Sequence, residues 1–576
     1  MKKIKFITTA FFISVSLAAV AAPADSIIFD RSVVIQKDFN PVIQDAGKIN
    51  ATPSVQTLSG VKKSPANYST FVIPADAEYE ITALPWANLS PAKKTSFRNG
   101  YARIGAGFNY NFSSLLDFAY PLIKEPADGL DFVLNHYGIF GKKMYHTSKA
   151  ALSYDHLFRT SQLSFGGNYR LQGFNYYGDL EHSDSDFTHL DPALDRYFHL
   201  SPAIVHTANA FIEWKSRPTL QNFKHGTKFS YDYFNSKDGL TEHVADVKFG
   251  LEGAIDKHRI GIDLGFKSVI FPQTDNYHIL MINPYYRYVN GRWNVRAGGK
   301  ASFSLGKAFG KGMGTTIESA KVFNPSFDIA ALIEIVKKKF YIYAELTGDY
   351  TVNNMHKILE ENRYIFPLTD VKPTYTPFDF IAGLKIKPAN GLLFDVYLNY
   401  QNSRNQYFFV NKLFSLVSEE SQSLIFYTTN QFDVEYYNSN LLSAGLNISY
   451  DLNEVFDVLF KAKYNHWTVK DNAGNPQTAW CKPAYELSLH MHAKPVKSLL
   501  LSLGTYAGIE RFAMQADGSS KKLSHIIDLN FGANYVFTSW LSVFLKLDNL
   551  TNSKYEIFNG YQVNGINGMV GAIFSF

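Results

Sequence analysis

His490 and His492 share one face of an alternating run with Glu486 and Ser488, residue types that can hold a divalent cation. Period-two placement is also what polar side chains lining a wet interior show, so this face reads as wall, and no metal or cofactor is expected. The glycines Gly306, Gly310, Gly312 and Gly314, with Lys307 and Lys311, suggest a phosphate cradle. Their spacing departs from the Gly-x4-Gly-Lys-Ser/Thr form and no strand-to-helix unit frames them, so they read as a loop. Cys481 is the only cysteine and cannot form an intrachain disulfide. His136, His146, His156 and His182 have no nucleophile fixed beside them by sequence, and no Gly-x-Ser-x-Gly element occurs, so no enzymatic activity is expected.

The elements that must position such residues are strands. From Tyr101, Ala102, Ile104, Ala106, Phe108, Tyr110 and Phe112 alternate with Arg103, Gly105, Gly107 and Asn109. The same two-faced pattern recurs over 340–347, 442–450, 456–465, 527–537 and 541–548. Its polar faces supply the candidate lumen-facing set: Arg103, Glu345, Asp457, Lys461, Lys463, Glu486, Lys546 and Asp548. A charge facing a wet lumen costs little, whereas Arg or Lys facing mid-membrane lipid costs about 2–4 kcal/mol. A sandwich core would not tolerate charge strand after strand.

Runs begin near 242, 258, 276, 292, 323, 338, 378, 391 and 404. Such spacing fits tilted membrane strands joined by short turns, and predicts an all-β fold: a large transmembrane antiparallel β-barrel of about 22 strands, within a range of about 14–24. Asn290-Gly291, Asn390-Gly391, Asp451–Asn453 and Thr538-Ser539 mark turns. Longer insertions at 175–200, 303–322, 350–375, 412–420 and 468–482 are expected as extracellular loops. Aromatic residues make up 15% of the chain, mostly Tyr and Phe, as interfacial girdles require, and Phe174–Tyr177 and Tyr407–Phe409 are read as parts of such girdles.

Lys2, Lys3 and Lys5 precede an apolar run and the small residues around Ala19–Ala21, which reads as a signal peptide over 1–21. No cysteine follows it, so no lipid anchor is expected. Losing these lysines lowers the formal charge from +5 to +2, and nothing argues for a nucleic-acid partner. Beyond residue 20 no apolar run approaches the roughly 20 residues of a spanning helix. Residues 22–99, punctuated by Pro41, Pro53, Pro65, Pro74, Pro85 and Pro91, read as a periplasmic or pore-lining segment, and 100–576 as the barrel. The final run, Ile566–Phe576, alternates to its last residue and is expected to close the sheet.

Leu545–Tyr555, followed by Gly560-Tyr561 and Phe576, resembles the last two strands of TonB-dependent receptors, and Lys37–Asn50 with Asn99–Gly107 resembles TonB-dependent-receptor-like outer-membrane barrels of Bacteroidetes. The resemblance implies the cell outer membrane, with lipopolysaccharide and phospholipid around the wall. It also implies Phe574 and Phe576 as part of a signal read by the barrel-assembly machinery. A full receptor has a plug domain of well over a hundred residues, longer than 22–99, so the chain reads as lacking an ordinary plug.

The function expected first is therefore that of an accessory or structural subunit of an outer-membrane complex, serving transport or barrel and lipoprotein assembly beside other outer-membrane proteins or surface lipoproteins. The alternative is a channel or nutrient transporter with the charged set lining its route.

Overall fold

The computed structural model describes residues 100–576 apart from 109–111, 126, 179–201, 218–221, 238, 274–275, 307–322, 418–423 and 453–454. The signal peptide, the 22–99 segment, His182 and the glycine run beyond Gly306 lie outside the described residues. Twenty-two strands close into one antiparallel barrel. They are β1 (Tyr101–Phe108), β2 (Phe112–Lys124), β3 (Asp128–Ile139), β4 (Tyr145–Leu157), β5 (Ser161–Phe174), β6 (Ala203–Ser216), β7 (Phe223–Ser236) and β8 (Thr241–Ile255). Then come β9 (His258–Ile270), β10 (Tyr277–Asn290), β11 (Trp293–Gly306), β12 (Phe323–Val336), β13 (Phe340–Thr351), β14 (Thr374–Ala389), β15 (Leu392–Val417) and β16 (Leu424–Leu452). The last six are β17 (Phe456–Lys470), β18 (Tyr485–Val496), β19 (Leu499–Ile509), β20 (Ile526–Val536), β21 (Leu541–Asp548) and β22 (Asn567–Ser575).

Closure is made as the terminal alternation requires. β22 pairs with β1 from Tyr101↔Ser575 to Phe108↔Gly568, and Gly100 and Phe576 exchange two backbone hydrogen bonds of 2.8 and 3.0 Å. Within the closed ring of the barrel no edge strand is left among the described residues. One side of the alternation, including Ile104, Phe165, Ile212, Phe229, Ile260, Leu398, Leu442 and Val570, is exposed on the outer wall. Tyr169, Trp214, Tyr231, Tyr286, Trp293, Tyr535, Trp540 and Phe576 are exposed towards its two rims. An apolar band between aromatic girdles on a closed barrel is the surface a bilayer demands, and the chain is an outer-membrane barrel. No helix among the described residues is long and apolar enough to cross a membrane.

One end of the barrel has tight turns. Gly291 (φ 45°) and Gly391 (φ 77°) make two of them, and a Cβ at Gly391 would meet the Asp451 carbonyl at 2.1 Å. The other end carries the long connections, and by that asymmetry it faces outward. Three sequence readings are corrected here. The run 101–112 is not one strand: β1 stops at Phe108, and Phe112 opens the antiparallel β2. No strand starts near 404, because β15 runs unbroken for 26 residues. The 412–420 insertion is largely β15 itself, paired through Val417↔Leu424 with the 29-residue β16, so this hairpin is longer than its neighbours because its ladder continues past them.

On the inner wall, tyrosines lie across glycines of adjacent strands, as Tyr397 does opposite Gly445 and Tyr343 opposite Gly383. A Cβ on Gly445 would stand 2.1 Å from Cζ of Tyr397. Gly445→Val is expected to destabilise the barrel by about 1–3 kcal/mol through this overpacking, and Tyr397→Ala in the same chain to restore most of it. The urea midpoint of the folded species on gels measures both.

Candidate functional site

The largest buried cluster lies in the loop-end mouth rather than the membrane band. Two connections fold inward to build it, 352–373 between β13 and β14 and 549–566 between β21 and β22. The 350–375 insertion, expected as an extracellular loop, thus carries a helix, α1 (Met355–Glu361), into the mouth. Seven residues are too few to hold a helix alone. Asn354 caps α1 by accepting from the Lys357 N–H at 3.0 Å, and the Glu242 carboxylate on the wall accepts from the Met355 N–H. Met355, Ile358 and Leu359, spaced i, i+3 and i+4, are buried against the wall.

After α1 the chain pairs in parallel with β16 at Ile365↔Phe432, the Phe366 N–H donating to the Phe432 carbonyl at 2.6 Å and the Phe432 N–H to that of Tyr364 at 2.9 Å. Tyr364 then stacks on Tyr561 from the second connection, ring centroids 3.6 Å apart, and both are almost wholly buried at 2% and 0% exposure. Tyr177 packs edge-on against both rings. The Tyr176 hydroxyl donates to the Ile365 carbonyl at 2.9 Å, and that of Tyr561 to the Asn430 carbonyl at 2.6 Å. The 549–566 connection is held by the Asn549 side-chain amide, donating to the carbonyls of Ser553 and Asn564, and by Arg511, donating to those of Glu556 and Ile557.

Two acids end α1, where the helix dipole disfavours them. Their cations come from β5 and from the connection between β17 and β18: Arg170 reaches Glu360 at 2.6 Å and Lys482 reaches Glu361 at 2.7 Å, with the Tyr407 hydroxyl donating to Glu361 as well. His356 stands 3.3 Å from Glu360 one turn back. Burial opposes the Glu360 charge, but the hydrogen bond and charge of His356 and the Arg170 guanidinium outweigh it, bringing the carboxyl from 4.5 down to about 2. A carboxyl depressed on folding stabilises above its unfolded value and loses that contribution as pH falls to its folded one. This tether therefore weakens between about pH 4.5 and 2. Hydrogen exchange of the α1 amides, corrected for its intrinsic pH dependence, should accelerate across that window in the native chain and not in Glu360→Gln.

The charged residues read from sequence alternate with the exposed apolar residues of their strands, and they do not form one site. Arg103 stands 3.8 Å from Asp117 and over the Phe544 ring, close to the seam where Lys546 pairs with Asp548 at 3.0 Å. Across β17 and β18, Lys463 faces Glu486, Lys461 faces Ser488 and Asp457 faces His492, whose Nδ1 is 2.9 Å from its carboxylate. Asn465 donates to Glu486 at 2.7 Å. Glu345 sits apart on β13, opposite Ala330 and Ile381. Among the described residues no group of three or more His, Cys, Asp and Glu could hold a metal. Phe574 and Phe576 lie at the short-turn rim, Phe574 stacked with Trp540 and Phe576 with Phe118 and Tyr120.

The girdle reading of Phe174–Tyr177 and Tyr407–Phe409 is corrected. Phe174, Tyr407 and Phe409 belong to the mouth cluster, with Tyr176 and Tyr177 packed against it, because these strand ends meet the infolded connections. Phe408 points the other way, into a smaller cluster with Val410, Val469 and Trp480. Sequence also missed an ion network on the wall of β8–β12. Arg296, 3% exposed, pairs with Asp328 at 2.6 Å and Asp263 at 3.1 Å and lies 3.8 Å over the Tyr285 ring, while Arg259 reaches Glu252 at 3.0 Å.

No family model and no curated protein matches the chain. Solved structures do. The siderophore receptor PirA from Acinetobacter baumannii matches with a TM-score of 0.59 at 11% identity, over 84% of this chain and 81% of that one. The ferripyoverdine receptor of the outer membrane of Pseudomonas aeruginosa matches with a TM-score of 0.57 at 15% identity, over 84% and 72%. At such identities the likeness is one of fold, a 22-strand barrel shared with these receptors.

Proposed function

We propose that the chain is an outer-membrane transporter whose outward mouth is closed by its own connections, 352–373 and 549–566, and opens for a solute. The observation that carries this is the mouth itself: a polar, charged bore ends in a lid whose two connections stack on each other through Tyr364 and Tyr561 and which is held by the Arg170–Glu360 and Lys482–Glu361 pairs. A scaffold has no need of a hydrophilic, charge-lined bore through apolar lipid. The fold shared with siderophore receptors supports transport over the accessory-subunit reading. Passage of an iron chelate is the corresponding substrate class to try first.

The test compares the full chain, a form with 353–372 replaced by a Gly/Ser linker, and that form also lacking 27–96, each reconstituted in liposomes. Solute entry is expected to rise on opening the lid, alone or with the second deletion. If no form admits solute and the protein instead purifies at fixed stoichiometry with another membrane protein, the transport reading fails and the accessory one replaces it.

A further inference from the structure

Four histidines stand on the outer wall at the loop end of alternate strands: His146 on β4, His206 on β6, His243 on β8 and His278 on β10. Their outward direction follows from their neighbours. Val205 and Thr207, Glu242 and Val244, and Tyr277 and Ile279 are all buried towards the mouth, so the residue between each pair points away, towards the membrane.

The ladders put the four at one height. His146 faces Gly173, which faces Ile204, and His206 lies two residues further down. His206 faces Asn235, which faces Thr241, and His243 again lies two further down. His243 faces Ile270, and His278 faces Ser268, the same step a third time. One residue of stagger per strand is how tilted barrel strands keep a level.

Three of the rings are held alike. Nδ1 of His206 meets the Tyr169 hydroxyl at 2.7 Å, that of His243 the Tyr231 hydroxyl at 2.6 Å, and that of His278 the Ser268 hydroxyl at 2.8 Å. Where the hydroxyl donates to Nδ1 the ring proton lies on Nε2, and a charged imidazole carries a donor there in either arrangement. The His146 ring instead covers Gly173, where a Cβ would stand 2.1 Å from it. The other groups facing these rings are neutral or basic: Tyr233 beside His243, Phe266 beside His278 and His136 near His146. Strands two apart are separated by about 10 Å, too far for neighbouring histidines to share one metal ion.

We propose that this histidine row binds the phosphate groups of phosphorylated glycolipid in the outer leaflet, each Nε2–H donating to a phosphate oxygen. Its position where the apolar belt gives way to headgroups supplies the place, and its donors supply the complement to an anionic acceptor. The proposal rests on the loop end facing outward and not on transport.

Native mass spectrometry of the full-length protein in detergent, with bisphosphorylated lipid A as probe, tests it. Retention by the native protein should exceed several-fold that of the variant His146→Ala/His206→Ala/His243→Ala/His278→Ala, which removes the four donors. The same positions changed to Lys should retain lipid A, which separates lost binding from lost folding. His258→Gln, at the short-turn rim where Nδ1 meets Tyr286, should change nothing. Equal retention by the native and Ala forms overturns the proposal. So does retention of dephosphorylated lipid A equal to that of the bisphosphate, or a histidine-dependent preference for phosphatidylglycerol.

Discussion

Replacing 353–372 with a short Gly/Ser linker is expected to give a conductance at or above that of an ordinary general porin, where the native protein stays closed. The argument is geometric. Barrels of 16–18 strands already leave an aqueous channel, and one of 22 strands is wider and must be filled to be closed. Here the described filling is the mouth cluster, to which the 352–373 connection brings Met355, Ile358, Leu359, Tyr364, Ile365 and Val371. Removing that connection exposes Tyr561, Tyr407, Phe409 and Phe432 to water, and each large side chain uncovered forfeits about 1.5–3 kcal/mol of burial. The 549–566 connection, left without its stacking partner, should then loosen as well. Planar-bilayer recording reads the outcome, with Tyr364→Ala as a milder variant expected to give brief openings. Should the linker form stay silent while a form lacking 27–96 conducts, the barrier lies with the N-terminal segment and the lid is not the gate. If both changes are needed, two barriers act in series.

Arg296→Met is expected to cost about 3–5 kcal/mol of barrel stability, the effect of removing one partner from a buried ion pair. Arg296 satisfies Asp328 through both Nε and Nη2 and reaches Asp263 beyond it, and its guanidinium lies flat on Tyr285. Methionine fills the space of the stem and supplies no donor. Asp328 would keep only the Asn283 amide, at 2.7 Å, while Asp263, more open to the lumen, could take up water and moderate the loss. Asp328→Asn in the same chain should recover much of the cost because it removes the stranded charge. The urea midpoint in detergent is the measurement. A single variant as stable as the native chain would mean that lumen water solvates this network. Its conductance should stay near the native value, since the network lies on the wall and the lid is elsewhere.

The membrane wall was legible because lipid imposes a strict rule on it. Every second residue of a strand such as β21, Leu541, Val543, Leu545 and Leu547, must be apolar, and turns such as Asn390-Gly391 must reverse a tightly twisted pair. Those demands are local and repeat, so the closed all-β barrel, its strand number and its closing strand could be read from periodicity. Where the rule is relaxed, the reading failed. Beyond the bilayer β15 and β16 need not stop, and nothing in Ser403–Val417 announces whether the chain turns or continues. Tyr407 and Phe409 look like girdle residues because aromatics alternate in both settings.

What the sequence by itself determined is therefore the wall and its address, since the solvent on each side of a strand selects residue types one position at a time. Only the tertiary structure decided that two of the barrel's own connections fold into the mouth, that Glu360 and Glu361 meet Arg170 and Lys482 from strands or loops more than a hundred residues away, and that four scattered histidines form a level row. Contacts of that kind depend on the stagger and closure of all the strands together, which no local pattern encodes.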